Sequence, residues 1–340
     1  MNWPMKTIVK LLTSTAFMMG LAIVISLLTN EYITGVYPDF LANDSTLRSN
    51  ITIFLLACML TLTMSRIPFK NLDPIKNIKS VSRSILLGLI FASSIPLIAY
   101  FLLRNNDTYG PYAVGLVFLA AAPFAGSVGP LSLILRGDLE HALRSTIIVY
   151  IVSLVWIPFI IWATLGETVD MTQVVTVVIE LIAVPLVLSR LFTKIKIDKT
   201  LMSVVLNCII AFLVWVSVGS TNFGKAGITV LIVFMIIAAL RDAGLGLSSE
   251  YVEKKLNISW SQRVTDVLMI SYKNKGIALA LCASVLVGPA IGQAMVAIAA
   301  SIVVEVCWVA FMDSVLFSKK RMERELESDR RSGIKEVWEN

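Results

Sequence analysis

Apolar residues fall along this chain in runs close to the length that crosses a bilayer as helix, with short polar stretches between them. The runs are Thr7–Leu28, Ile51–Pro68, Ser84–Leu103, Pro111–Leu135, Ala142–Leu165, Met171–Phe192, Leu201–Val218, Gly227 to about Leu245, Arg263–Val287 and Ile291–Phe317. The first is too long for the apolar part of a signal peptide and lacks a small-residue cleavage site, so it counts as a span. The pattern predicts an all-α polytopic membrane protein with ten transmembrane helices. A charged tail from Lys319 onward is expected to be amphipathic or disordered helix.

Two runs are irregular. In the fourth, the segment AAPFAGSVGPLSLILRGD (Ala121–Asp138) puts Pro123, Gly126, Gly129 and Pro130 in mid-span. Proline has no N–H to donate and crowds the carbonyl four residues back, while glycine relaxes the backbone. Backbone groups freed in hydrocarbon cost several kcal/mol each unless protein, water or a ligand satisfies them. The segment reads either as a proline kink packed on its neighbours or as a broken helix lining a wet cavity. The ninth run carries Tyr272-Lys273-Asn274-Lys275-Gly276 near its centre. Each lysine there costs roughly 2.5–3.5 kcal/mol on insertion scales, which favours a functional cavity over lipid.

Composition agrees with the membrane reading: the 340 residues are 57% hydrophobic and 15% charged, with mean hydropathy +0.81. The net charge of +6 sits in short loops, the positive-inside pattern, and not on a face that would bind nucleic acid. One set of loops and ends holds Lys6, Lys10, Arg66, Lys70, Lys76, Lys79, Arg83, Arg136, Arg144, Arg190, Lys194, Lys196, Lys199, Lys254, Lys255 and Arg263. The other set holds little beyond Arg48, Arg104 and Lys225. Both termini are therefore expected in the cytoplasm, with the chain in the plasma membrane. Ten spans divide at Gly166–Asp170 into two five-helix repeats, residues 1–165 and 171–317, followed by a cytoplasmic tail, 318–340. An odd number of spans per half inverts the second repeat, the architecture of many secondary transporters. Cys58, Cys208, Cys282 and Cys307 lie far apart in apolar runs without metal-ligand spacing, so no disulfide, zinc or cofactor is expected.

Ala122-Pro123, Leu133, Arg136-Gly137-Asp138 and Ala142-Leu143 together resemble the fourth-helix signature of the bile acid:sodium symporter superfamily. Asn274 followed by Gly276-Ile277-Ala278-Leu279-Ala280 is similar to its ninth-helix pattern. The resemblance implies a panel domain of spans one, two, six and seven, and a core domain of spans three to five and eight to ten. It also implies that the broken fourth and ninth helices cross in the core, with substrate and sodium bound beside the crossing. The chain departs from that family at the sodium ligands. A Ser-Asn pair falls on Val128 and Gly129, a Glu and a Gln on Met269 and Lys273, and a Ser and a Thr on Ala142 and Thr146. Sodium wants several hard oxygen ligands, so Lys273 reads as a tethered positive charge standing in for the ion. A methionine there is expected to be tolerated by the fold, since it suits hydrocarbon better than a charge does.

Two carboxylates were recognised inside the spans, Glu180 and Glu305. Glu305 is expected at the depth of Lys273 and Lys275, where a Lys–Glu pair offsets desolvation and can exchange a proton; a purely structural pair is the alternative. Glu180, near Pro185, reads equally as a protonated, inert residue. His141 is expected to be a solvated loop residue. Candidate substrate- and ion-binding residues are Ser127, Gly129, Pro130, Thr146, Lys273, Asn274, Lys275 and Glu305. The function expected is a secondary transporter or facilitator of a small organic anion working by alternating access. A proton is the candidate coupling ion and sodium a poorer one. The alternative is metalloid efflux, as in the superfamily's arsenite branch. Glu305-Val306 resembles the tenth helix of that branch, but Phe124 stands where its cysteine would be. No motif of a membrane-embedded enzyme is present.

Overall fold

A computed structural model describes residues 8–9, 11–65, 78–193, 198–221, 223–334 and 336. Lys6, Lys10, Arg66, Lys70, Lys76, Lys194 and Lys196, and the expected start of the first span at Thr7, lie outside the described residues. The described chain is helical apart from turns and one isolated antiparallel bridge. Its main helices are α1 (Thr15–Leu28), α2 (Ser45–Met64), α3 (Ile78–Leu103), α4 (Gly110–Ala121), α5 (Val128–Ile134), α6 (Leu139–Leu165), α7 (Met171–Leu191), α8 (Lys199–Gly219), α9 (Ala226–Lys255), α10 (Trp260–Ser271), α11 (Lys275–Val285), α12 (Pro289–Leu316) and α13 (Lys319–Arg331). Seven of these, α2, α3, α6, α7, α8, α9 and α12, are long and apolar enough to cross a membrane. The chain is a multi-pass membrane protein.

Acidic caps set several helix starts. Asp44, Asp138, Asp170 and Asp198 each accept a backbone N–H of the first turn of α2, α6, α7 and α8. Asp44 takes the N–H of Leu47 at 2.8 Å, which is why the second run begins at Ser45 rather than Ile51. Four described helices contain a wider turn: Leu86–Phe91 in α3, Ile179–Ala183 in α7, Leu240–Gly244 in α9 and Met312–Leu316 in α12. Such turns re-aim side chains and free carbonyl groups, and two of them bear on the site. The eighth run extends to Lys255 rather than about Leu245, because the charged residues past its apolar part find buried partners.

In packing, α1 lies on α8 and α2 on α7, whereas α12 lies against α4 and α9, α3 against α4, and α10 against the last turns of α9. The charged tail is an ordered helix, not a free one. Arg263, fully buried, faces Glu250 at 3.1 Å, Glu325 at 3.3 Å and Asp329 at 3.4 Å. Glu336 accepts the N–H of Trp260 at 2.8 Å and the Ser261 hydroxyl at 2.7 Å, closing the N-terminus of α10.

His141 is not solvated; only 4% of it is exposed. Its ring lies 3.1 Å from Asp266 and 2.7 Å from the Ser80 hydroxyl, and Arg83 pairs with the same Asp266 at 2.6 Å. A short loop read from sequence does not reveal that the start of α6 is packed under α3 and α10.

Candidate functional site

Both irregular runs are broken, and the two breaks meet. α4 ends at Ala121 because Pro123 forces the residue before it into an extended conformation, seen in Ala122 at φ −62° and ψ 141°. The ninth run, read as a single span, is interrupted between α10 and α11 at Tyr272–Asn274. The strands of backbone between the half-helices run antiparallel. Ala125 donates its N–H to the carbonyl of Tyr272 at 2.8 Å, and Asn274 donates to that of Pro123 at 2.7 Å. Each break thus satisfies polar groups of the other, as a backbone interruption inside a membrane must.

Two side chains brace the crossing. The Tyr150 hydroxyl of α6 donates to the Phe124 carbonyl at 3.1 Å and accepts from the Asn274 amide at 2.8 Å. The Asn274 side-chain oxygen caps α11 by taking the N–H of Ile277 at 3.0 Å. Tyr150→Phe leaves both partners buried and one bond short, and is expected to destabilise the protein by about 1–3 kcal/mol. A melting temperature equal to the wild type's would show that backbone bonds alone hold the crossing.

Lys273, 1% exposed, turns its ammonium into a cage of oxygens. Nζ donates to the carbonyls of Ala122 at 2.6 Å, Ala120 at 3.2 Å and Gly88 at 3.3 Å, and to the Ser93 hydroxyl at 3.1 Å. Ala120 and Ala122 lie at the end of α4, where helix carbonyls lack intrahelical partners and carry partial negative charge. Gly88 lies in the wide turn of α3. Lys275 points the other way. Its Nζ lies 2.7 Å from Glu305 and 3.6 Å from Asp242, and donates to the Ser301 carbonyl at 2.7 Å.

The wide turn of α9 brings in two residues that the sequence reading passed over. Arg241 and Asp242 are both buried and paired with each other; Arg241 also lies 3.9 Å from Glu305 and donates to the Ser271 carbonyl at 3.1 Å. Asp242 is therefore a second buried carboxylate beside the crossing with Glu305, one that the sequence analysis did not single out, whereas Glu180 is exposed elsewhere. The signal was present in the sequence: an Arg-Asp pair inside the apolar eighth run, where charge is costly.

A narrow, half-open cavity of about 70 Å³ lies beside the crossing. Its lining combines Ser127, Lys273, Asn274, Lys275 and Glu305 with apolar side chains that include Met19, Leu56, Met59 and Leu213. Five of the eight predicted residues are brought together here. The other three are not. Gly129 packs near the Leu143 side chain, Pro130 is exposed, and the Thr146 hydroxyl bonds within its own helix to the Ala142 carbonyl at 2.8 Å. Glu180 is exposed on the wide turn of α7 and lines a separate polar cavity with Asn50 and Gln173.

The chain matches no family model and no curated protein sequence. The cavity's own chemistry is a lining of apolar and charged side chains, a fixed ammonium, and two buried cations set against two carboxylates.

Proposed function

We propose that the protein is a secondary transporter of a small organic anion, working by alternating access and independent of sodium. The observation that carries this reading is the antiparallel meeting of two interrupted helices beside a cavity lined by both charged and apolar side chains. The resemblance to bile acid:sodium symporters leads to the same arrangement from the sequence side. In this reading α1, α4–α5 and α10–α11 join the seven long helices to make ten spans, arranged as two inverted five-helix repeats. The matching wide turns of α3 and α9 support the repeat: they occupy the third span of each half, and each supplies a group to the crossing. The mutual packing of α1 with α8 and α2 with α7 supports a panel that is separate from the core.

Lys273 carries the sodium independence. Its ammonium sits among four oxygens as a small cation would, but it is tethered and cannot dissociate with the substrate. Metalloid efflux has less in its favour, since no cysteine lines the cavity. The test is uptake of labelled carboxylates by proteoliposomes in sodium and in choline medium. Equal rates in the two media are expected, and a steep, saturable sodium dependence would refute the tethered-cation reading.

Both termini are proposed to face the cytoplasm, at the plasma membrane. Single cysteines at Thr46 and Ser328, in a background without the native thiols, are expected to label from opposite sides of sealed vesicles. Labelling from one side would sink the inverted repeat.

A further inference from the structure

The ions around Glu305 balance. Glu305, 3% exposed on α12, is faced by Lys275 from α11 at 2.7 Å and by Arg241 from α9 at 3.9 Å. Asp242 of α9 completes the group, paired with Arg241 and 3.6 Å from Lys275. That makes two cations and two carboxylates. The remaining charged group that lines the cavity, Lys273, has its ammonium in the oxygen cage on the far side. The Tyr272 hydroxyl is the other titratable group in the lining. An anion entering beside Glu305 therefore meets no uncompensated cation among these four groups, while the Lys273 ammonium, held by neutral oxygens, stays a constant charge throughout the cycle. Burying one more negative charge beside Glu305 costs several kcal/mol unless a charge is removed.

We propose that Glu305, Lys275, Asp242 and Arg241 form a proton-exchange centre that makes carboxylate transport electroneutral, one proton entering with each monocarboxylate. The inference rests on the transporter reading and deepens it. A proton from the aqueous side bonds to a Glu305 carboxylate oxygen and leaves that group neutral. Arg241 keeps Asp242 as its partner, so the centre retains one surplus charge, the Lys275 ammonium. The substrate carboxylate takes the place that Glu305 held against Lys275. On the opposite side the substrate leaves, Lys275 closes back on Glu305, and the O–H bond breaks as its proton passes to water. Arg241 and Asp242 are positioning residues: without their mutual pair, Arg241 would compete for Glu305 and the count would no longer return to zero. The centre reverses without any net charge crossing the membrane, since anion and proton travel together.

The test uses the full chain in proteoliposomes, with lactate, 4-methyl-2-oxopentanoate and phenylpyruvate as probes. An inwardly directed proton gradient is expected to drive accumulation of at least one probe. A potassium–valinomycin potential at clamped, equal pH is expected to drive none. Glu305→Gln is expected to lose the gradient-driven accumulation, and the counterflow that remains should no longer vary with pH. A readout without substrate accompanies it: infrared difference spectra of the purified protein between alkaline and acid pH should contain a buried protonated-carboxyl band. That band should vanish in Glu305→Gln and survive in Asp242→Asn. Uptake driven by potential, or a band that persists in Glu305→Gln, overturns the proton-exchange centre while leaving a transporter. Failure of all three probes in the wild-type protein at every pH overturns the transporter reading, and the proposal with it.

Discussion

Lys273→Met is expected to abolish transport and to destabilise the protein by about 1–3 kcal/mol, the usual cost of leaving buried acceptors without their donor. From the sequence, methionine looked acceptable, because an apolar chain suits hydrocarbon better than an ammonium. The oxygen cage reverses that expectation. The Ala122 and Gly88 carbonyls would lose this donor, while the Ala120 carbonyl would keep the Ser93 hydroxyl at 2.5 Å. The check is thermal unfolding in detergent together with uptake. Lys273→Gly adds a sharper arm. It leaves the cage in place without the tethered cation, so ammonium or potassium in the medium should raise its melting temperature above that in choline. A Lys273→Met protein that melts and transports like the wild type would mean the cage contributes nothing.

Arg263→Met is expected to release the C-terminal helix and to cost about 3–5 kcal/mol, since it removes the buried cation that Glu250, Glu325 and Asp329 share. Limited proteolysis in the tail, compared with the wild type, reads the release directly. The same cluster sets a pH dependence at the aqueous edge of the protein. Burial pushes the Glu325 carboxyl up, but the hydrogen bond and charge of Lys254, with Arg263 and Arg321, outweigh it and hold the group below its ordinary value of 4.5. A depressed carboxyl adds stability above its ordinary range and loses it as pH falls through the folded value. Asp329 is pushed the other way, mainly by burial, against the pull of Arg263. Its protonation on acidification relieves a cost. Tail docking should therefore hold or strengthen slightly as pH falls towards the range in which Asp329 protonates. It should then fail below about pH 4.5, once Glu325 takes up its proton. Docking that weakens steadily from neutral pH would contradict this assignment.

Much of the fold was legible in the chain because bilayer length and polarity act on each run separately. The apolar runs, the acid-capped starts of α6, α7 and α8, and the break at Pro123 follow from local rules about hydrocarbon, helix caps and a missing N–H. The lysines in the ninth run announced a site for the same reason: charge in mid-span is costly wherever it occurs. The expected Lys–Glu pair is present for Lys275, 2.7 Å from Glu305, but not for Lys273, whose ammonium faces the α4 carbonyls.

Direction and partnership were decided only in three dimensions. Lys273 and Lys275 are two residues apart, yet one faces the α4 carbonyls and the other a carboxylate, because the extended link between α10 and α11 turns them apart. His141 looked like a loop residue until α3 and α10 closed over it. Gly129, Pro130 and Thr146 shared the site's sequence neighbourhood but not its cavity, since α5 turns Gly129 towards α6 and Pro130 to the exposed surface, and the Thr146 hydroxyl bonds within α6. Arg241 and Asp242 joined it from far along the chain, through a wide turn that no periodicity announces. Sequence by itself determined which segments are buried and where burial is costly, because those are properties of a residue and its neighbours along the chain. Which charges neutralise one another depends on distances between helices, and only the packed tertiary structure sets those.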